Sequence, residues 1–327
     1  MPKIAVVDFD LENYELVEAL AAKDGVELER FDDRSADAVI RNAADADGII
    51  TSYADFPARV FEALDPKLKV VSRTGVGFDT IDVPAATKHG VAVCTAPGYA
   101  NEVVSDHAIA LALAVLRRIN EQDANLRAGI WDYSSTCPLG QVHGRTFGVV
   151  GMGAIGRACA RKAAGLGFDV VCWSRSLVPG RRTPEGYKTL SLDDLLRTSD
   201  VVSFHCALTP DTHHILDAEK LALMKPTAVV VNTSRGPVVD TAALSEALKA
   251  GKLWGAGIDV YEHEPVLADD PLLSAPHTVL TPHAAYWSEE SGRELCERTA
   301  QSAIDVVCGR RPADCLNPQV FEAQRCM

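Results

Sequence analysis

Short apolar runs alternate with amphipathic segments along the first hundred residues. Runs rich in β-branched residues, typical of strands, lie at 3–9, 26–31, 48–52, 68–75 and 91–96. Segments whose apolar residues recur at helical spacing lie between them, at 12–23, 35–43, 57–64 and 82–90. Strands that alternate with helices favour right-handed βαβ units and a mostly parallel sheet.

A different pattern begins near residue 101. Residues 101–119 form a long apolar segment without Gly or Pro, which predicts a helix buried on most sides. A second alternating series then starts at Thr146. Its predicted strands lie at about 146–150, 169–173, 200–204, 228–232, 256–260 and 277–281.

The last predicted helix, at about 287–308, follows the final strand and is placed to cross back onto the first series. We therefore predict two doubly wound, parallel-sheet α/β domains of Rossmann-like or flavodoxin-like type. Residues 1–100 and 287–327 form one domain, and residues 101–286 form the second, which is inserted into the first. The length of 327 residues agrees with a prior of roughly 150 residues per domain.

Composition narrows the class of protein. The formal net charge of −13 argues against nonspecific binding of a nucleic-acid backbone, which needs clustered Lys and Arg. The apolar run Ala108–Leu116 is too short to cross a bilayer, and the N-terminal residues lack the apolar core of a secretion signal. Nine cysteines without a C-x-x-C pair argue against a disulfide framework or a metal site and favour a reducing cytoplasm.

A G-x-G-x-x-G motif marks a dinucleotide site in the inserted domain. It follows a β-branched run and opens a predicted helix, as this motif requires. Its candidate cofactor-binding residues are Gly151, Gly153, Ala154, Ile155 and Gly156. We expect the first glycine to allow a tight turn, the second to admit a pyrophosphate, and the third to let helix and strand pack closely. The alternative is a plain glycine turn.

The residues after the next strand bear on cofactor preference. An NAD site places Asp or Glu there, about 20 residues on. This chain instead has Ser174, Arg175 and Ser176, and Asp169 lies at the wrong end of the strand. A hydroxyl and a guanidinium can bind a 2′-phosphate, so we predict that NADP(H) is preferred, with NAD(H) possible. The alternative is that Arg175 is only a solvated residue and discrimination is weak.

Three later segments each place a chemically useful side chain after a predicted strand. "NTSRGPVVD" carries Arg235, "GIDVYEHEP" carries Glu264, and "LTPHAAYWSEES" carries His283. In an open α/β sheet the ligand crevice lies outside the carboxyl ends of the strands. Each residue alone could be an exposed loop residue, but their joint arrival at this edge predicts an active site without metal.

These motifs resemble the D-isomer-specific 2-hydroxyacid dehydrogenase family over essentially the whole chain. The matching strings are "GMGAIGR", "NTSRGPVVD", "GIDVYEHEP" and "TPHAA". "RTGVGFDTID", the histidine pair at 213–214 and "PHAAYWSEES" resemble most the C-terminal binding protein branch, which contains corepressors and bacterial relatives assumed to be enzymes.

The resemblance implies a role for each matched residue. His283 would donate and accept the proton, Glu264 would hold its imidazole, and Arg235 would bind and polarise the substrate. Histidine exchanges protons near neutral pH, and a neighbouring carboxylate favours imidazolium. Thr233 and Asp259 would contact the cofactor, although Asp259 could equally be a turn residue at the strand end.

The resemblance also implies a substrate pocket. An anion-binding loop would include Gly75, Val76 and Gly77, with Arg73 beside it; a plain glycine turn is the alternative. Tyr53, Tyr286 and Trp287 would line the side-chain end. The order of Tyr286 and Trp287 departs from the corepressor branch, where Trp precedes Tyr, so the substrate stays open.

We therefore expect a cytoplasmic NAD(P)-dependent oxidoreductase that interconverts a 2-oxo acid and a D-2-hydroxy acid, without nucleic-acid or membrane partners. The apolarity of 103–116 suggests a subunit contact and hence a homodimer. One alternative is an NAD(P)(H)-sensing, corepressor-like binding protein with little turnover. Another is an enzyme of the same fold that oxidises a different acid, of the phosphonate or amino-acid-pathway type.

Overall fold

The computed structural model describes residues 1–9 and 13–323 and divides the chain into two compact units. The first unit comprises Met1–Tyr99 and Ser288–Met327, and the second comprises Ala100–Trp287. These bounds lie one residue from those predicted at both junctions. Cys326 and the predicted start of the first helix, at residue 12, lie outside the described residues.

The strands and helices follow the predicted alternation. The strands are β1 (Lys3–Val7), β2 (Glu27–Phe31), β3 (Gly48–Thr51), β4 (Val70–Arg73), β5 (Ala92–Cys94), β6 (Thr146–Val150), β7 (Asp169–Trp173), β8 (Lys188–Thr189), β9 (Val201–Phe204), β10 (Val229–Asn232), β11 (Gly255–Ile258) and β12 (Thr278–Leu280). The helices are α1 (Tyr14–Lys23), α2 (Ala36–Asn42), α3 (Ala58–Leu64), α4 (Val83–Lys88), α5 (Asn101–Leu116), α6 (Ile119–Arg127), α7 (Ala154–Gly165), α8 (Leu192–Thr198), α9 (Ala218–Leu221), α10 (Thr241–Lys249), α11 (Glu289–Val307) and α12 (Val320–Ala323).

The first unit is a five-stranded parallel sheet with helices on both faces. Its strand order is β2-β1-β3-β4-β5. Helices α2, α3 and α4 cover one face, while α1 and α11 cover the other. The final helix therefore returns to this unit as predicted, and a capping box between Ser288 and Ser291 fixes its start.

The second unit is a seven-stranded parallel sheet with strand order β12-β11-β10-β9-β6-β7-β8. Helices α8, α9 and α10 pack on one face, and α5 and α7 pack on the other. After β6 the chain adds β7 and β8 on one side of that strand. It then crosses back, and β9 pairs with the other side of β6. That reversal puts the topological switch point between β6 and β9, where sheets of this type hold their ligands.

The apolar helix α5 is buried on much of its surface, as its sequence predicts. Its buried positions, which include Ala108, Leu111 and Val115, pack on α7 and on β10, β11 and β12 of the same unit. A Cβ at Gly257 would collide with Leu111, which shows how closely the helix approaches the sheet. Packing inside the second unit therefore accounts for the buried positions of 103–116. Ala110 is exposed and Leu113 and Ala114 are half-buried, so a subunit contact at this helix stays a prediction.

No helix among the described residues is both long enough and apolar enough to cross a membrane.

Candidate active site

The glycine motif has the backbone geometry that a pyrophosphate site needs. Gly151 follows β6 with φ of 101°, a left-handed conformation that favours glycine. A Cβ at Gly156 would collide with the carbonyl oxygen of Gly151, whereas a Cβ at Gly153 would meet no described atom within 4 Å. The chain therefore turns tightly at Gly151, packs closely at Gly156 and leaves room beside Gly153.

Helix α7 presents its N-terminus beside that room. Gly153 is its N-cap and offers no side chain to the first turn, in which Ala154 and Ile155 lie. The N–H groups of a first helical turn lack intrahelical acceptors, and the helix dipole adds a partial positive charge there. This end of the helix suits an anionic ligand such as a pyrophosphate.

Two buried polar atoms near the switch point lack a hydrogen-bond partner among the described residues. They are Nδ1 of His205, which follows β9, and Oγ1 of Thr233, which follows β10. Burying such atoms without a partner is costly, so they fit a site completed by a polar ligand. Together with the glycine turn they fit a nicotinamide dinucleotide.

His205 was missed by the sequence reasoning, although a polar residue directly after the buried strand "VVSF" was a usable signal. Its N–H donates to the carbonyl of Val150 at 2.8 Å, and its Nε2 lies 2.9 Å from Oγ of Ser203. Burial lowers the pKa of His205 to about 4 because it disfavours the charged imidazolium. The ring is therefore neutral at physiological pH.

The lowered pKa of His205 predicts how stability depends on pH. The unfolded chain binds a proton at this residue below pH 6.5, whereas the folded chain does so only near pH 4. The free energy of unfolding should therefore fall as pH drops through this window, by about 3 kcal/mol from this group.

In His205→Asn, the free energy of unfolding, measured with urea at about pH 7.5 and about pH 5, should depend less on pH than in the parent. A His213→Asn control should keep the parental dependence, and an unchanged dependence in His205→Asn would contradict the assignment.

The segment after β7 places Ser174, Arg175 and Ser176 at the end of that strand, as predicted. The Arg175 side chain is 79% exposed, and its Nη1 lies 3.7 Å from Oδ2 of Asp211, which is 77% exposed. Such an exposed pair is weak. The guanidinium therefore lies at the right strand end for a 2′-phosphate but has a competing carboxylate, Asp211, which the sequence did not single out.

His283 and Glu264 form the closest contact of the candidate catalytic centre. Nδ1 of His283 lies 2.6 Å from Oε2 of Glu264, and Oε1 of Glu264 accepts the N–H of Tyr261 at 2.9 Å. Burial alone would raise the pKa of Glu264. The hydrogen bond from His283 and the positive charges of His283 and Arg235 outweigh it, and the pKa is lowered. Glu264 is therefore an ionised partner for the imidazole.

Arg235 reaches the same strand edge through a tight backbone approach. It follows β10, and its carbonyl accepts Nδ2 of Asn232 at 2.9 Å. A Cβ at Gly236 would collide with the backbone of Tyr261 and Glu262, so only glycine lets this loop lie against the loop after β11. Arg235 then acts electrostatically on Glu264. The structure thus brings Arg235, Glu264 and His283 together within the second unit.

Asp259 holds the turn that carries His283. Its buried carboxylate accepts the N–H groups of Ala284 and Ala285 at 2.9 and 3.0 Å and Oγ1 of Thr281 at 2.5 Å, while its carbonyl accepts the N–H of His283 at 2.7 Å. These bonds stabilise His283 in a left-handed conformation with φ of 52°. Of the two roles left open for Asp259, the geometry supports the turn role, and contact with a cofactor stays a prediction.

Further side chains surround this turn. His107 of α5 is half-buried, and its Nε2 lies 3.0 Å from Oγ1 of Thr281. The ring of Tyr286 lies edge-on to that of His283 at 6.0 Å, and Trp287 lies edge-on to Tyr286 at 6.3 Å. The two aromatic residues therefore form a wall next to the imidazole.

The first unit groups the remaining predicted substrate residues at the ends of β3 and β4. Nε of Arg73 donates to the carbonyl of Ser52 at 3.0 Å, and its guanidinium lies 5.8 Å from the ring centre of Tyr53. The carboxylate of Asp8 accepts the N–H groups of Ser52 and Tyr53 at 2.9 and 2.7 Å. Asp8, which the sequence reasoning missed, therefore fixes the loop that carries Tyr53.

The glycine loop lies directly after Arg73. Gly75 has φ of 141°, and a Cβ there would collide with the Arg73 guanidinium. The carbonyl of Gly75 accepts the N–H of Ala96 at 2.8 Å, and the side chain of Val76, which precedes Gly77, is exposed. Both the anion loop and the plain turn are compatible with this arrangement, so an anion-binding role stays a prediction.

Comparisons with known proteins identify the family. The model of the family "D-isomer specific 2-hydroxyacid dehydrogenase, NAD binding domain" matches residues 109–285, which lie within the second unit. A glyoxylate reductase of Korarchaeum cryptofilum is 41% identical over 290 residues, which cover 88% of this chain and 87% of the relative.

Solved structures are similar over nearly the whole chain. A glyoxylate reductase from Paecilomyes thermophila has a TM-score of 0.85 at 32% identity and covers 97% of this chain and 99% of its own. An acyclic imino acid reductase, Bsp5, in complex with NADPH and D-Arg has a TM-score of 0.86 at 25% identity, with 96% and 99% coverage. The chain therefore belongs to the D-isomer specific 2-hydroxyacid dehydrogenase family and is a 2-hydroxyacid oxidoreductase.

Proposed function

We propose that this chain reduces a small 2-oxo acid, with glyoxylate as the first candidate, to the corresponding 2-hydroxy acid, or catalyses the reverse reaction. The observation that carries this proposal is the 2.6 Å contact between Nδ1 of His283 and Oε2 of Glu264. It gives a histidine a fixed orientation and an anionic partner, which is the arrangement that proton exchange with a substrate oxygen requires. The similarity to two glyoxylate reductases supports the choice of acid.

The proposed roles follow from charge and position. With Nδ1 committed to Glu264, proton exchange with the substrate oxygen falls to Nε2 of His283. Ionised Glu264 holds the imidazole by its contact with Nδ1, so that the ring keeps one orientation during proton transfer. The guanidinium of Arg235 binds the substrate carboxylate and polarises the adjacent carbonyl. When bound, the nicotinamide cofactor supplies or accepts the hydride.

The other predicted residues complete the proposal. We assign the dinucleotide to the second unit, at Gly151–Gly156 and Thr233. Within the first unit, we assign a role in substrate recognition to Tyr53, Arg73 and the loop Gly75–Gly77. Within the second unit, we assign such a role to Tyr286 and Trp287. The aromatic residues would set the size of the acid that is accepted, since the side-chain end of such a pocket decides between substrates.

A panel of 2-oxo acids tests this function. Purified protein with NADPH or NADH should consume cofactor in the presence of glyoxylate, hydroxypyruvate or a bulkier 2-oxo acid, followed by absorbance. Tight binding of NAD(P)H without turnover of any acid would contradict the proposal and favour the corepressor-like sensor. Turnover limited to phosphonates or amino-acid precursors would instead favour an enzyme of the same fold that acts on a different acid.

We also propose that NADP(H) is the preferred cofactor, on the basis of Ser174, Arg175 and Ser176 at the end of β7. Arg175→Ala should weaken NADPH binding by roughly tenfold, because one charge-assisted contact to the 2′-phosphate is lost, and should change NADH binding by less than about twofold. Fluorescence titration measures both. Asp211→Asn is the matched variant and should tighten NADPH binding. Equal effects of Arg175→Ala on both cofactors would contradict the preference.

A homodimer and a cytoplasmic location remain predictions. Beside α5, a second candidate subunit surface is the exposed apolar segment that follows it, which includes Leu126, Ile130, Trp131 and Tyr133. Exposed apolar clusters of this kind favour protein contacts. Sedimentation equilibrium should give twice the chain mass for the parent and a lower mass for Trp131→Ser with Ile130→Ser.

A further inference from the structure

The segment after α11 covers the edge strand β5 of the first unit. The N–H of Leu316 donates to the carbonyl of Val93 at 2.8 Å, and Oδ1 of Asn317 accepts the N–H of Val93 at 2.8 Å. Nδ2 of Asn317 donates to the carbonyl of Val91 at 2.9 Å. Asn317 itself is buried. The segment therefore supplies partners for the outer edge of β5, where an edge strand would otherwise present unpaired groups.

This pairing makes neighbours of two cysteines from distant parts of the chain. Cys94 is the last residue of β5 and is fully buried, and Cys315 directly precedes the paired residue Leu316. Both side chains pack in the same core, between the sheet and the helices α1 and α11. Sγ of Cys315 lies 3.4 Å from Oδ1 of Asn317, and the same oxygen accepts the N–H of Val93, the residue before Cys94.

The two thiols differ in acidity. The neighbouring Cys94 thiol lowers the pKa of Cys315 to about 7 against the opposing effect of burial, and backbone N–H groups add to the lowering. Its neighbour Cys315 and burial raise the pKa of Cys94. Cys315, which is also the more exposed of the two, is therefore the thiolate that an oxidant meets first, with Cys94 as its protonated neighbour.

We propose that Cys94 and Cys315 are an oxidation site at which a hydroperoxide produces a reversible intrachain disulfide. The Cys315 thiolate attacks hydrogen peroxide, which forms a sulfenic acid at Cys315 and releases hydroxide. The sulfur of Cys94 then attacks that sulfenic sulfur, the S–S bond forms, and the thiol proton leaves with the hydroxyl group as water. One peroxide is reduced to two waters overall, and a dithiol reductant restores both thiols.

The location gives the disulfide a structural effect. It would fix the segment after α11 to the end of β5. Cys94 lies two residues before Ala96, and the N–H of Ala96 donates a hydrogen bond to the carbonyl of Gly75. A covalent link between such distant positions also removes conformational freedom from the unfolded chain. We therefore expect the oxidised protein to resist unfolding more than the reduced protein. This inference is independent of the proposed substrate.

The test treats the full chain with hydrogen peroxide, blocks the remaining thiols with an alkylating reagent and maps the peptides by mass spectrometry. We expect a Cys94–Cys315 cross-link with the loss of two hydrogens, reversed by dithiothreitol, and a thermal midpoint raised by about 5 °C while oxidised. The cross-link should be absent in Cys315→Ser and in Cys94→Ala.

Two control variants separate this pair from other thiols. Cys137→Ser removes an exposed cysteine, and Cys326→Ser removes one that lies outside the described residues; both should keep the cross-link. Oxidation of Cys315 to sulfinic acid without a cross-link would overturn the proposal, as would a disulfide between Cys315 and Cys326. Full alkylation of both Cys94 and Cys315 after peroxide would also overturn it.

Discussion

His283→Ala should lower kcat for 2-oxo acid reduction by roughly a thousandfold, because general acid catalysis by a positioned side chain contributes about 10²- to 10⁴-fold. The dissociation constant for NADPH should change by less than about twofold, since we assign the dinucleotide to the glycine turn and not to the imidazole. Steady-state kinetics and fluorescence titration measure the two quantities.

The control for this variant is His213→Ala, which removes an exposed histidine of the same unit and should leave kcat unchanged. Retention of more than about a tenth of the parental kcat in His283→Ala would be incompatible with its role as the proton donor. A large loss of NADPH affinity would instead indicate that the turn held by Asp259 had collapsed. In that case the variant would not report on catalysis alone.

Arg235→Ala should lower kcat/KM for the 2-oxo acid by roughly 10²- to 10³-fold, because a charge-assisted contact to the substrate is lost both in binding and in the transition state. Arg235→Lys keeps the charge but loses the planar fork and should recover only part of that loss. Initial rates across substrate concentrations separate KM from kcat.

The matched control for Arg235 is Arg197→Ala, which removes an exposed arginine of the same unit. It should leave kcat/KM within about twofold of the parent, since its contacts are weak surface ion pairs. Parental kcat/KM in Arg235→Ala would exclude this residue from substrate binding. Equal losses in the Arg235 and Arg197 variants would indicate a general effect of charge.

The two-sheet architecture followed from the sequence because its signal is local. Buried parallel strands read as continuous β-branched runs, and each helix between them carries its own apolar face. The same logic singled out Arg235, Glu264 and His283, because each lies in the segment that follows a predicted strand. The match of the family model to residues 109–285 agrees with the predicted position of the dinucleotide-binding fold.

Features that depend on contacts between distant residues were not predicted from the sequence. The helix predicted over 101–119 ends at Leu116, because Arg118 adopts a left-handed conformation with φ of 53°. Its guanidinium packs 4.1 Å from the ring centre of Trp254, far away in sequence. The roles of Asp8 and Asp211 depend in the same way on distant partners, which no local pattern encodes.

The carboxylate of Asp259 belongs to the segment after β11, yet it anchors the turn after β12 that presents the imidazole. The position of the His283 imidazole is therefore fixed by the segment after β11, and not by the residues that follow His283 in the chain. We therefore expect side-chain substitutions at Tyr286 and Trp287 to leave His283 in place. Substitution of these two aromatic side chains should therefore change which acid is accepted, while the acid–base group keeps its position. Libraries randomised at Tyr286 and Trp287 offer a direct route to altered acid preference.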